Sequence, residues 1–167
     1  KIRVVIKKMV GKIGDATTNL PEGDIAIGHT RWATHGGVTD DNAHPHLDCT
    51  GNLVVIHNGI VENYQELKSE LLSKKHIFRS ETDTEVIAHL IEDRLKKEPI
   101  EKAVFAVFKQ LVGSNAIGVL DTKTKTIIAC RNGSPLAVGV GIGQYFLASD
   151  VTPFLKFTQE VLFLSDG

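Results

Sequence analysis

Ala116-Ile-Gly-Val-Leu120, Asp121-Thr-Lys-Thr-Lys125 and Thr126-Ile-Ile-Ala-Cys130 follow one another without a break. Two apolar, β-branched runs on either side of a polar turn read as an antiparallel hairpin. The same C-terminal third carries strand-like runs at 136–140, 145–148 and 161–164, with a short helix expected over 152–157. Upstream, Tyr64, Leu67, Leu71 and Leu72 recur at helical spacing within 62–75. A second helix, with Val86, Ile87, Leu90, Ile91 and Leu95 on one face, comes after Ser80-Glu-Thr-Asp-Thr-Glu85. That stretch holds two overlapping capping patterns, Ser80 with Asp83 and Thr82 with Glu85. Pro99 ends this helix and opens another, with Ala103, Val104, Val107, Phe108 and Leu111 inward. Further strands are expected at 2–7, 24–30, 53–56 and 76–79, with mostly loop over 8–23 and a long polar loop over 36–52. Strands joined by short turns, with helices grouped in the middle, argue for antiparallel sheets packed by helices rather than βαβ units. The reading is one α+β domain over residues 1–167.

Composition narrows the function. The 167 residues are 42% hydrophobic and 23% charged, enough for a substantial core. A net charge of −1 implies no basic face, so nucleic acid is not a favoured partner. The longest apolar runs are strand-sized, far short of the ~20 residues a membrane helix needs. Cys49 and Cys130 lie in unrelated stretches and make no disulfide framework, so a reducing, cytoplasmic setting is expected.

Chemistry-bearing residues fall in three clusters at strand ends or helix starts: Arg31 to His35, His57-Asn-Gly59, and Ser80 to Asp83. Arg31 offers a planar fork of donors for a carboxylate or phosphate, or else a surface ion pair. Trp32, the only tryptophan, could cover a small ligand or fill the core. Asn58-Gly59 suits a hairpin turn, but the residues after it look helical. Its other reading is an oxyanion hole made of a side-chain amide and a glycine-exposed backbone N–H. Asp83 suits a helix cap or a ligand ammonium group. His29, His35, His44, His46 and His57 fall within 29 residues, yet no recognisable metal-ligand pattern accompanies them, and no metal is expected. Neither cysteine is expected near a basic neighbourhood or a helix start, and both read as bystanders. The residues alone leave a ligand site without an attacking group.

Six motifs in order carry a resemblance: Gly28-His-Thr-Arg-Trp-Ala-Thr-His-Gly36, Asn42-Ala-His-Pro-His46, His57-Asn-Gly-Ile60, Ser80-Glu-Thr-Asp-Thr-Glu85, Arg131-Asn-Gly-Ser-Pro-Leu136 and Ala148-Ser-Asp150. From about Val10 to its C-terminus the chain resembles the glutaminase domains of class II glutamine amidotransferases. Within them it is similar to the branch that aminates fructose 6-phosphate. Purine-pathway members are less similar, lacking the Trp-Ala-Thr-His form of the first motif. The resemblance implies a four-layer αββα sandwich, the N-terminal-nucleophile hydrolase fold. It implies that an N-terminal cysteine thiol attacks the side-chain amide of L-glutamine, with its own α-amine as base and no cofactor. Ammonia then passes to a C-terminal isomerase domain that binds fructose 6-phosphate, in a polypeptide expected to be a homodimer.

By the same resemblance Arg31 clamps the glutamine carboxylate, assisted by Thr34 and His35, and Trp32 covers the site and gates ammonia transfer. Asn58 and Gly59 form the oxyanion hole. Asp83 and the Gly59 backbone hold the substrate ammonium. His44 and Arg131 fall in family motifs without an assigned step. The family's opening Cys-Gly-Ile-Val-Gly segment is not in these 167 residues, which begin at Lys1 inside a strand-like run. The expectation is an N-terminally incomplete glutaminase domain, inactive by itself. A nucleophile-less glutamine-binding or structural module is the alternative.

Overall fold

The structure is a computed structural model that describes residues 4–167. Its elements run α1 (Ile13–Thr17), β1 (His46–Leu47), β2 (Leu53–Gly59), α2 (Tyr64–Ser73), α3 (Glu85–Leu95), α4 (Ile100–Phe108), β3 (Asn115–Asp121), β4 (Thr126–Asn132), β5 (Ala137–Gly141), β6 (Gln144–Ala148) and β7 (Val161–Phe163). Two antiparallel sheets form, one in the order β1-β2-β3-β4 and one in the order β6-β5-β7. Among the described residues no helix is long and apolar enough to cross a membrane.

The period-two alternation of β2 decides the layering. Leu53 and Val55 face the helices and join Ile117, Val119, Leu71, Ile87, Ile91, Val104 and Val107 in the main core. Val54, Ile56 and Asn58 point to the opposite face. There the second sheet closes over Gly118, where a Cβ would stand 3.1 Å from Ile56 Cγ1 and 3.6 Å from Leu147 Cδ2. The far side of the second sheet is covered by residues 151–158. Phe154 is buried against Gly139 and its ring stacks with Phe146 at 5.8 Å. Helices, sheet, sheet and a covering segment therefore make the four layers. The covering segment is not the expected helix. Residues 152–157 form successive turns, with Phe154 N–H donating to Val151 O and Phe157 N–H to Phe154 O.

Three expected strands are absent as such among the described residues. Residues 76–79 have no ladder, and neither do the described residues 4–7 of the expected 2–7 strand; residues 2 and 3 lie outside the described part. Residues 24–30 keep strand-like alternation, with Ile25, Ile27 and His29 partly buried and Ala26 and Gly28 exposed, but pair with no described neighbour. A strand is defined by its partner, and here the extended segment is tied to the first sheet by a side chain, His29 on Asn58, rather than by a backbone ladder. It leaves a cavity of about 600 Å³ lined by Ile25, Ile27, His29, Val54 and Leu120. Two loops also hold more structure than expected, α1 within 8–23 and β1 within 36–52.

The cap of α3 differs as well. Its N-cap is Thr84, without a side-chain cap bond. Glu85 reaches backward, and its carboxylate accepts the Arg79 N–H at 2.8 Å, the Ser80 N–H at 2.7 Å and the Ser80 hydroxyl at 2.6 Å. The polar residues ahead of the helix thus brace the connection from α2 rather than the first helical turn.

Candidate active site

β2 delivers adjacent residues to opposite faces. His57, on the helical side, is fully partnered: Asn115 Oδ1 at 2.8 Å from Nε2 and Thr84 Oγ1 at 3.0 Å from Nδ1. A carbonyl oxygen only accepts, so Nε2 carries the proton and Nδ1 accepts from the threonine. Burial holds this imidazole below its ordinary pKa. Asn58, on the other side, has its Oδ1 at 2.7 Å from His29 Nε2. The same logic makes His29 the donor and fixes the Asn58 amide with Nδ2 pointing away from it. Among the described residues no hydrogen bond occupies that Nδ2. Burial lowers the His29 pKa, with the Asn58 bond opposing it, and the ring stacks on His44 at 4.0 Å.

Gly59 ends the strand at φ +130°. A Cβ there would overlap the Ser114 carbonyl oxygen. Only glycine fits, because both the dihedral and the approach of Ser114 exclude a side chain. The chain then turns into α2, and the Asn-Gly hairpin does not form. At that turn the Val61 N–H donates to Asp83 Oδ2 at 2.8 Å. Asp83, buried, therefore caps no turn of its own helix; it ties the exit of β2 to the entrance of α3. Its second oxygen lies 3.8 Å from His35 Nδ1, a buried ring nitrogen that makes no hydrogen bond among the described residues.

Arg31 is turned onto its own loop. Nη1 donates to Gly37 O at 2.8 Å, and Nη2 to His35 O at 2.5 Å and Gly36 O at 3.1 Å. Three of its five N–H donors are spent, leaving Nε–H and one Nη1–H. The loop is fastened from the other side by Asn42, whose Nδ2 reaches Gly37 O at 3.0 Å and Glu81 Oε2 at 3.1 Å. Asn42 Oδ1 accepts the Glu81 N–H at 2.9 Å. Trp32 is 89% exposed, and Thr34 is exposed beside it.

The structure thus gathers Asn58, Gly59, His35 and Asp83 around the end of β2 and brings the loop of Arg31 against them. Trp32 and Thr34 lie outside this group, on the open side of the loop. Sequence reasoning did not single out His29 as the residue that orients Asn58, nor Asn42 and Glu81 as the loop's fasteners. Asn42 and Glu81 stood inside family motifs, but nothing in their spacing told which partner each would find. Arg131 gains a structural place: its Nε donates to Ser134 O, Nη1 to Leu164 O, and Nη2 pairs with Asp166 at 2.9 Å. It pins the C-terminal segment to β4. Cys49 is not remote from basic groups, since its Sγ lies 3.5 Å from both His76 and His89.

Two stacked antiparallel sheets with helices on the first, and an amide–glycine pair at a strand end, define the α+β sandwich class of the N-terminal-nucleophile hydrolases. The comparisons agree. A family described as glutamine amidotransferase domain matches residues 29–156. A glutamine–fructose-6-phosphate aminotransferase (isomerizing) of Pyrococcus horikoshii is 52% identical over 99% of this chain and 29% of its own length. One from Aquifex aeolicus is 48% identical over 100% and 27%. Among solved structures, a glutamine phosphoribosylpyrophosphate amidotransferase from B. subtilis aligns with a TM-score of 0.63 and 29% identity, covering 81% of this chain and 29% of the other. A structure titled as the allosteric regulatory enzyme of purine biosynthesis aligns at 0.66 and 30%, covering 81% and 30%. The chain belongs to the glutamine amidotransferase domain family, and it spans less than a third of the length of the curated relatives it matches.

Proposed function

We propose that this domain binds L-glutamine and hydrolyses its side-chain amide, as the glutaminase part of a glutamine–fructose-6-phosphate aminotransferase. The released ammonia would serve a C-terminal isomerase domain holding fructose 6-phosphate, in a cytoplasmic homodimer. The observation that carries the reading is the fixed Asn58 amide. With Oδ1 held by His29, Nδ2 is preorganised as a donor beside the Gly59 backbone. Preorganised donors aimed at a developing oxyanion cost no reorganisation during reaction. Asp83 Oδ1 and the unpartnered His35 Nδ1 supply polar contacts for the substrate's ammonium and carboxylate ends, and the two remaining Arg31 donors add a second carboxylate contact. Trp32, exposed on the open side of the loop with Thr34 beside it, would fold over a bound ligand. The attacking thiol of this chemistry belongs to the family's opening Cys-Gly-Ile-Val-Gly segment, not to residues 1–167.

The test has two arms. In the natural polypeptide carrying such a cysteine, Asn58→Ala should lower kcat for glutamine hydrolysis by about 10²–10³-fold while KM changes far less. A polypeptide starting at Lys1 should bind glutamine without turning it over. Turnover by that species, or full activity of the Asn58 variant, overturns the mechanism. Intact mass and N-terminal sequencing of the native protein separate the glutaminase from the nucleophile-less module.

A further inference from the structure

Away from the candidate site at the end of β2, four side chains from three parts of the chain meet beside α3. Cys49 comes from the turn between β1 and β2, His76 from the segment after α2, and His89 and Glu92 from α3 at i, i+3. Sγ of Cys49 lies 3.5 Å from Nδ1 of His76 and 3.5 Å from Nδ1 of His89. The two Nδ1 atoms are 3.3 Å apart, and Glu92 Oε2 lies 3.2 Å from one and 3.3 Å from the other. All four atoms fall within 4.8 Å of one another. A tetrahedral ion bound at ~2.0–2.3 Å has ligand–ligand edges about 1.6 times as long, roughly 3.3–3.8 Å. The five separations of 3.2–3.5 Å lie close to those edges.

The outer nitrogens point the same way. His76 Nε2 lies 3.0 Å from Asp93 Oδ1, and His89 Nε2 faces Glu85 Oε1 at 3.6 Å. A carboxylate behind an imidazole keeps the proton on the outer nitrogen and turns the inner lone pair toward the centre, as metal-bound histidines are oriented. With both inner nitrogens aprotic, the cluster holds two lone pairs and a carboxylate oxygen against the Cys49 S–H and one backbone N–H, that of Cys49. That interior is rich in acceptors and poor in protons, which a cation remedies. The turn that presents the thiol is also held. Asp48 accepts the Leu53 N–H and the Thr50 hydroxyl, and the Cys49 N–H donates to Glu92 Oε2 at 3.1 Å.

We propose that Cys49, His76, His89 and Glu92 form a structural site for one divalent transition-metal ion, best suited to zinc. One thiolate, two imidazoles and one carboxylate in tetrahedral arrangement are a zinc donor set, and four protein ligands close the site against catalysis. The ion would staple the 48–52 turn and residues 76–79 to α3. Binding releases the thiol proton to solvent as the sulfur–metal bond forms.

The experiment is metal analysis of the purified full chain kept reduced with a non-chelating phosphine. After removal of metal, it is titrated with Zn²⁺ and separately with Co²⁺. The expected result is one ion per chain, a thiolate-to-cobalt charge-transfer band, and a Tm that rises with Zn²⁺. Cys49→Ala, at an exposed position, should abolish the band and the stoichiometric binding. Asp93→Asn, which keeps all four ligands, should weaken Zn²⁺ binding by about 10–100-fold. Absence of binding by the wild-type chain overturns the proposal and leaves a hydrogen-bonded imidazole pair only. Equal binding by wild type and Cys49→Ala overturns it as well.

Discussion

Gly59 shows how one residue can serve backbone and chemistry together. Its φ of +130° lies in a region that side chains disfavour, and a Cβ would overlap the Ser114 carbonyl oxygen across the β2–β3 pair. Gly59→Ala therefore carries a dihedral cost of about 1–3 kcal/mol before the clash is counted. The expected outcome is a lowered urea midpoint with an unchanged m-value, together with weaker glutamine binding. An unperturbed midpoint would show that the strand end is free to relax. Arg31 makes the opposite point about legibility. Its fork was read from sequence as a candidate carboxylate clamp, but its present partners, the carbonyls of residues 35–37, depend on how the loop returns on itself. Lysine in its place supplies a single point donor and cannot hold three carbonyls in one plane. Arg31→Lys should weaken glutamine binding at least about tenfold, the scale of one lost charge-assisted hydrogen bond. Isothermal titration checks this, and equal affinity would remove Arg31 from the substrate's surroundings.

At the scale of elements, what the sequence showed was set by period and length. The hairpin β3–β4, the strands β5 to β7 and the helices α2 to α4 follow from alternation and from i, i+3, i+4 spacing, because each buries one face of its own. Residues 24–30 alternate equally well, yet form no backbone ladder with a described strand, since a ladder needs a neighbour that periodicity does not report. The same limit hid the meeting of Cys49, His76, His89 and Glu92: each is ordinary in its own stretch, and 43 positions of chain separate Cys49 from the carboxylate it faces. The candidate site was more legible than the folding of its loops. Asn58, Gly59 and Asp83 lie together at the end of β2, whereas Trp32 and Thr34 remain on the open rim. The Ser80–Glu85 stretch was read as two caps and is instead a brace, because Glu85 finds the N–H groups of Arg79 and Ser80 upstream before any partner in its own first turn. Asp83 could then serve the exit of β2.

For the molecule as a whole, the dense packing of uncharged imidazoles around the first sheet sets its response to acid. His29, His44, His46 and His57 are all held below the ordinary imidazole pKa, in each case first by burial. His46 is pushed down to about 3 by burial and by the nearby Lys8 and Arg31 charges, against the attraction of Glu85. In the unfolded chain the same ring titrates near 6.5. Between those two values the unfolded state holds a proton that the folded state refuses, so stability falls as pH is lowered through this window. The loss is about 1.4 kcal/mol per pH unit for each such ring while it persists. Above pH 6.5 both states are deprotonated at these rings, and they contribute no slope. Urea unfolding at pH 7.5, 6, 5 and 4 should therefore show a midpoint that declines only below about 6.5. The ring protons of His46 should stay at their neutral shifts across pH 8 to 5 in NMR titration. A His46 midpoint near 6.5 would mean that the ring is hydrated in solution, and that Thr82, whose hydroxyl lies 3.2 Å from its Nε2, does not hold it inside.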